Sequence, residues 1–400
     1  MGIQASGYCL FLNAGNVTKG GFRFAECQFI SAEKDKKLNK GKLTRGDVVL
    51  TTRGTVGNLS HYTDEVPFDH IRINSGMVIL RNTSSTVANA YQYLVLRSRI
   101  VESQIERLSF GSAQPQLTVR GISTLQIPLP PTKAEQEAIA EALSDADALI
   151  ESLGQLIVKK RQIKQGAMQW LLSPPETTPI ENGKLKMENE EGGTRNSDNS
   201  QLSTLHSPYK KRLPGFSGEW EVRRLGDVAE IVMGQSPSSS HYNNKGDGLP
   251  LIQGNADIAN RKTIKRVFTT EITKRGRRGD ILMSVRAPVG EISRAIFDVC
   301  LGRGVWAIRY ANDFLYHSLI AKESTWAKLS KGSTFDSVNS TDVKAFKIGL
   351  PIEYEEQIAI ATIFSDMDAE IAALEAKLAK ARQVKQGMMQ ELLTGKTRLV

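Results

Sequence analysis

LQIPLPPTKAEQEAIAEALSDAD at residues 125–147 is answered by FKIGLPIEYEEQIAIATIFSDMD at residues 346–368, each matching position lying 221 residues further along. The correspondence runs without a gap from 108–173 onto 329–394. It is tightest at its end, where KQGAMQWLL (164–172) and KQGMMQELL (385–393) agree at seven of nine positions. A unit this long, present only twice, is no solenoid array and predicts two similar half-molecules related by a pseudo-twofold. Within each copy the apolar residues share one helical face: Ile139, Leu143, Ala146, Ile150, Leu153 and Ile157, then Ile360, Phe364, Met367, Ile371, Leu374, Leu378 and Ala381. The alternating four–three spacing is that of a coiled-coil seam. A helix of ~35–40 residues would be ~55–60 Å long, and such a seam cannot be hidden by the helix alone. The only equally long partner is the other copy, so the spacing predicts an intramolecular two-helix coiled coil; the alternative is that each helix packs on its own domain.

Outward from the helices, a proline-marked turn precedes each one (Pro128, Pro130 and Pro131; Pro351). Residues 174–212, from PPETTPIENGK through NEEGGTRNSDNS, are rich in Pro, Gly, Asn, Ser and Glu and lack periodic apolar residues, which predicts a flexible linker. Upstream of each helix lies a globular region with short strand-like runs, DVVLTTRG and SGMVILR in the first, VAEIVM, DILMSV and GVWAIRY in the second. TRGDVVLTTRGTVGNLS (44–60) parallels RRGDILMSVRAPVGEIS (277–293), and Gly15-Asn16 parallels Gly254-Asn255, but here the offset drifts because loops differ in length. Faithful helices carrying divergent globular regions suggest one scaffold with two different readers. The boundaries expected are a first domain at 1–128, a first helix at 129–173, the linker at 174–212, a second domain at 213–349 and a second helix at 350–400.

Four hundred residues, 40% of them apolar, suffice for two or three cored domains. The net charge of +9 points toward a polyanionic partner. Three scattered cysteines (Cys9, Cys27, Cys300) without CxxC favour a reducing compartment, and five scattered histidines lack metal-ligand spacing. No apolar run approaches the ~18 residues of a membrane span, and MGIQASGYCLFL lacks the basic start of a signal peptide. Its fit to MGxxxS has no polybasic support and is read as accidental. A cytoplasmic location is expected, with no membrane association.

Phosphate-loop, dinucleotide-fold, HExxH and GxSxG motifs are all missing, which argues against an ATPase, a dehydrogenase, a methyltransferase or a hydrolase. SPPE at 173–176 lacks the aromatic fourth residue of amino-methyltransferases. The paired acids Asp145/Asp147 and Asp366/Asp368 sit early in the helices, where they are expected to favour the dipole and face solvent. What is present is positive charge: Lys34, Lys36, Lys37, Lys40, Lys42 and Arg45 in the first region, and Arg261, Lys262, Lys265, Arg266, Lys274, Arg275, Arg277 and Arg278 in the second. Such residues neutralise phosphates. Gln235, Asn243, Asn244, Gln253 and Asn255, with Arg53 and Arg286, are candidates for reading base edges, amides on adenine and guanidinium groups on guanine.

GDILMSVRAPVG with the looser GDVVLTTRGTVG, GSAQPQLTVRGISTLQIPLPP, the helix starts at Glu135-Gln136 and Glu356-Gln357, and the KQGxMQxLL helix ends together resemble the DNA-specificity subunits of type I restriction–modification systems. LPGFSGEWEVRRLGDVAEI (213–231) is similar to that family's opening of a recognition domain. The resemblance covers nearly the whole chain. It implies two mixed α/β target-recognition domains joined by two long helices in an antiparallel coiled coil. Each domain would read one half of a bipartite, asymmetric site on double-stranded DNA. Two modification subunits would dock on the conserved helices and methylate adenine, and restriction subunits would join them. Catalysis, S-adenosylmethionine, ATP and magnesium would then belong to those partners, with no cofactor in this chain. One departure stands out: aligned on Gly-Asn, the second region has roughly 27 residues (213–239) ahead of anything matched in the first. The opening strand of the first region is therefore expected to be missing, replaced or supplied by a partner, and reading by the first half to be weakened or lost. The competing reading is a truncated relative that acts only as an assembly scaffold.

Overall fold

The computed structural model describes residues 7–109, 116–173, 213–286, 288–330 and 338–399, so the predicted linker and the SPPE tetrapeptide beyond Ser173 lie outside it. The chain divides into two compact units, Met1–Leu156 with Leu374–Val400, and Ile157–Ala373. Each is mixed α/β, as the patterning predicts.

In the first unit β1 (Cys9–Phe11) lies between β2 (Phe29–Ile30) and a parallel strand further on, while β3 (Val48–Thr51) pairs antiparallel with β4 (Leu59–His61). The parallel neighbour of β1 is β5 (Ile71–Arg72), and β6 (Met77–Leu80) closes the other side of β3. In the second unit, β7 (Trp220–Arg224) leads through the short helix Leu225–Val228 into β8 (Glu230–Met233). Beyond β9 (Leu249–Ile252), the strands β10 (Ile281–Ser284) and β11 (Ile292–Arg294) form a hairpin. β12 (Val299–Leu301) runs parallel to β9, β13 (Val305–Arg309) fits between β8 and β10, and β14 (Lys347–Pro351) pairs antiparallel with β7.

The shared Arg-Gly-Asp preceding β3 and β10 makes the same local structure twice. Gly46 and Gly279 adopt φ of 92° and 94°, a left-handed turn conformation that side chains other than glycine resist. The aspartate that follows accepts from a turn amide, Thr44 at 2.7 Å or Arg277 at 2.8 Å. It is then gripped by an arginine at the end of the neighbouring strand or just past it, Arg309 on Asp280 and Arg81 on Asp47. The motif thus anchors the central strand rather than meeting a ligand.

Two helices of 39 residues, Lys133–Leu171 and Tyr354–Leu392, each contribute to both units. In the first unit Ile139, Ala140 and Leu143 from the start of one helix pack with Leu392 and Leu393 from the end of the other, against Ala88, Tyr91, Leu94 and Val95. In the second unit the repeat-equivalent residues do the same: Ile360, Ala361 and Phe364 pack with Met168, Leu171 and Leu172. Ion pairs show the helices running antiparallel in each unit. Lys160 meets Glu370 at 2.6 Å and Lys164 meets Asp368 in the second; Asp147 meets Lys385 and Glu135 meets Arg398 in the first. Asp147 and Asp368 therefore bind the opposite helix, a correction to the expectation that these acids merely face solvent. The seam residues lie inward: Ile139, Leu143, Leu153, Ile157, Ile360, Phe364 and Ile371 are buried, and Ile150, Met367, Leu374 and Leu378 half-buried.

Each helix start is tied down by a buried glutamine. Gln136 accepts from the Ala88 amide (2.8 Å) and donates to the Thr86 and Pro130 carbonyls. Gln357 accepts from Tyr310 and Asn312 and donates to the Pro351 carbonyl at 2.8 Å. Replacing Gln357 by leucine strands these buried groups and is expected to cost about 1–3 kcal/mol, seen as a lowered urea midpoint at unchanged slope.

His317 supplies a second prediction. Burial first, then the charge of Lys164, push its pKa down to about 4, and its Nδ1 has no hydrogen-bond partner among the described residues. The folded chain keeps the ring neutral, whereas the unfolded chain takes a proton below the ordinary value of 6.5. Stability is thus complete above pH 6.5 and falls by about 3 kcal/mol as the pH drops toward 4. His317→Gln should flatten that dependence in pH-resolved denaturant melts.

Candidate nucleic-acid interface

In the second unit, the turn Gly302–Gly304 joins β12 to β13 with its backbone pressed against neighbouring chain. The Gly302 amide donates to the Ile252 carbonyl at 2.8 Å, and a Cβ at Gly304 would fall 2.3 Å from the Gln253 carbonyl oxygen. Only glycine permits that approach. The Gln235 amide donates to the Leu301 carbonyl at 2.9 Å, and Ser236 Oγ accepts from the Arg303 amide at 3.2 Å. Gln253 Nε2 donates to the Tyr242 hydroxyl at 2.9 Å, and that hydroxyl donates to the Pro237 carbonyl. The Val285 amide donates to the Gly304 carbonyl at 3.0 Å, which sets Arg286 beside the same turn. Asn255 bonds Glu291 close by.

Three sequence-predicted residues, Gln235, Gln253 and Arg286, are thus gathered by separate segments around one glycine turn, with Asn255 two residues beyond Gln253. Gln235, Gln253, Arg286 and Arg303 are exposed there. A side-chain amide and a guanidinium presented together can address adenine and guanine edges respectively. Arg303 and Tyr242 were not singled out by sequence; the signal for Arg303 was a lone arginine flanked by glycines in LGRGV.

Other candidates are engaged within the protein. Asn243 Oδ1 accepts from the amides of Lys245, Gly246 and Asp247, fixing a turn. Arg261 forms a two-pronged pair with Glu323 and also reaches the Ile292 carbonyl. Arg266 bonds the Ala256 carbonyl and Asp257, Arg275 pairs with Asp298, and Lys265 lies over the Phe297 ring at 5.1 Å. Lys262, Arg277 and Arg278 are exposed, with no side-chain hydrogen bond or salt bridge among the described residues, although the Asp298 carboxyl is lowered by the Arg278 amide, then by Arg275 and last by the charge of Arg277. Arg277 and Arg278 line a cleft of about 320 Å³ with Arg294 and Arg309.

The first unit repeats part of this arrangement. The Thr52 amide donates to the Gly76 carbonyl at 2.8 Å, matching Val285 on Gly304, so exposed Arg53 occupies the place of Arg286. Asn16, the counterpart of Asn255, is instead buried and donates to the carbonyls of Arg23 and Glu26. Lys36, Lys37 and Lys40 are exposed at and just beyond the end of the helix Ala32–Lys37. Lys42 is not a free cation: it pairs at 2.7 Å with buried Asp35, which also binds buried Arg72 at 2.5 Å. Burial alone would raise the Asp35 carboxyl, but hydrogen bonds from Lys42 and Arg72 hold it at about 2. Beside it, burial and then Asp35 push the Cys9 thiol up to about 12, which leaves it inert as a nucleophile.

Residues 5–159 and 217–383 match the family described as type I restriction modification DNA specificity domain. The chain belongs to that family, a class of non-catalytic subunits that recognise DNA sequence. It is 28% identical over 383 residues to a putative type I restriction enzyme specificity subunit, MjaX, of Methanocaldococcus jannaschii, covering 93% of this chain and 83% of the relative. Its fold is similar to that of a chain from a type I restriction–modification system whose complex assembly and conformational transition have been described (TM-score 0.58, 23% identity, 97% of this chain and 92% of the other). It is also similar in fold to a specificity subunit from M. genitalium (TM-score 0.57, 15% identity, 98% and 90%). Among the described residues no group of three or more His, Cys, Asp or Glu could hold a metal, and no helix is long and apolar enough to cross a membrane.

Removing one partner from a buried ion pair strands the other, so Asp35→Asn should cost about 3–5 kcal/mol. The wild-type contribution should persist down through pH 4 and fade as the pH falls toward 2, because the folded carboxyl ionises lower than the unfolded one. Denaturant melts of both chains from pH 2 to 7 check this.

Proposed function

We propose that this specificity subunit reads a bipartite, asymmetric sequence on double-stranded DNA. One half is read by the Gly302–Gly304 face of the second unit and the other by the Arg53 face of the first. The observation that carries this reading is the equivalent placement of Arg53 and Arg286, each exposed and each following a residue just past a strand end whose amide is pinned to a glycine carbonyl. Lys262, Arg277 and Arg278 in the second unit, and Lys36, Lys37 and Lys40 in the first, supply salt-dependent phosphate affinity. The recognition domains are taken as 1–128 and 213–349, joined by helices within 129–173 and 350–400, with 174–212 as linker.

Two adenine-methylating modification subunits dock on the helices, and restriction subunits join them, in the cytoplasm. S-adenosylmethionine, ATP and magnesium are then bound by those subunits. The seam residues themselves face inward, so docking uses outer faces. The first long helix exposes Leu149 and Leu156 in the first unit and Ile163 and Trp170 in the second, spaced seven residues apart.

Methylome sequencing of cells expressing the chain with a modification subunit should show one bipartite motif. Arg286→Ala should relax or abolish one half of it and Arg53→Ala the other, at about 1–3 kcal/mol per lost base contact. Methylation scattered without sequence preference would instead mark an assembly scaffold. Lys262→Ala should weaken binding to all duplexes alike and lower the salt dependence by about one released ion.

A further inference from the structure

The β10–β11 hairpin carries Arg286 in its turn and closes with Glu291 opposite Ser284. The backbone of Glu291 is fixed there: its amide donates to Ser284 Oγ and its carbonyl accepts from the Ser284 amide, both at 3.0 Å. The next residue is clamped as well. The Ile292 amide donates to Glu323 at 2.8 Å, and its carbonyl accepts from Arg261 at 2.8 Å. Arg261 reaches this point from a left-handed turn, with Asn260 at φ 49° and Arg261 at φ 60°, a conformation unfavourable to residues other than glycine.

The side chain of Glu291 is engaged on one side only. Asn255 Nδ2 donates to its Oε2, and among the described residues Oε1 accepts no hydrogen bond. Glu323 first, and Glu291 only last, raise the Arg261 guanidinium, which is already committed to its two-pronged pair with Glu323. Glu291 is exposed, and with Asn255, Arg261 and Glu323 it lines a cavity of about 300 Å³ that also includes Val305, the residue after Gly304. The carboxylate thus stands beside the Gly302–Gly304 turn with one oxygen fixed and the other presented.

The first unit shows what the hairpin itself requires. Asn58 takes the place of Glu291: its amide donates to Thr51 Oγ1 at 3.0 Å and its carbonyl accepts from the Thr51 amide at 2.9 Å. Its side chain is neutral, half-buried and donates to the Val17 carbonyl at 3.0 Å. The hairpin therefore closes without a charge at this position, and bracing does not account for the carboxylate. On a face that meets phosphates a carboxylate is repelled unless a base donates to it. Two bases present an amine in the major groove; adenine sets an acceptor, N7, beside it and cytosine does not.

We propose that Glu291 determines specificity in the second unit's half-site by accepting from the N4 amine of a cytosine, with Asn255 as the residue that positions it. This rests on the reading that the Gly302–Gly304 face meets DNA, and it sets beside Arg286 a reader of opposite sign.

The test is methylome sequencing of cells that express a modification subunit with the wild-type chain, Glu291→Gln, Asn255→Ala or Arg286→Ala. The half-site that Arg286→Ala relaxes should hold one C·G pair that Glu291→Gln loosens, admitting adenine there because an amide bonds both N6 and N7 of adenine. Discrimination at that pair should fall about tenfold or more, with every other position kept. Asn255→Ala should loosen the same pair and no other. A Glu291→Gln motif identical to that of the wild type would overturn the proposal; if Arg286→Ala still relaxes the half-site, the wider reading of that face stands without it. Even loosening at every position, or a half-site with no C·G pair, would overturn it too.

Discussion

Everything in this structure depends on a reciprocal burial. A long amphipathic helix cannot shelter its own apolar face, and neither globular region is closed by its own helix alone. The start of one helix brings Ile139 and Leu143, or Ile360 and Phe364. The end of the other brings Leu392 and Leu393, or Leu171 and Leu172. Fully burying each such side chain is worth about 1.5–3 kcal/mol, so the tail of one repeat is a substantial part of the other unit's core. The reciprocal pairs Lys164–Asp368 and Lys385–Asp147 fix the helical register from the same two repeat positions used twice.

That arrangement explains why the helices repeat faithfully while the globular regions do not. A residue in the helical repeat packs in two environments of the same kind, so a change in one copy must still fit a surface shaped by the other. The loops that gather around Gly302–Gly304 answer to no such constraint. There the common elements are backbone ones, such as the left-handed glycines before β3 and β10 and the amides just past those strands that bond Gly76 and Gly304. Side chains free to vary on a fixed backbone frame are what two readers of different sequence require.

Much of this was legible in the amino-acid sequence. The seam residues, the turn before each helix, the mixed α/β regions and the family all follow from spacing and motif. What escaped was pairing at long range. Asp147 and Asp368 read as solvated acids because their lysine partners lie 238 and 204 residues away. Arg261 and Arg275 read as free cations for the same reason, since Glu323 and Asp298 reach them only through the fold. Arg303 and Tyr242 had no motif to announce them; they matter because glycine turns bring their segments beside Gln253. Charge counts identify a basic protein, but only geometry separates the arginines that brace loops from those that are presented outward.

The central claim is that each unit is completed by the tail of the other repeat. It is tested most directly by amide hydrogen exchange on the double variant Leu392→Asp, Leu393→Asp. Loss of protection across residues 88–95 and 139–143, with the second unit's β10 and β13 left as slow as in the wild type, is the predicted result. Unchanged exchange in the first unit, or equal loss in both, would contradict it.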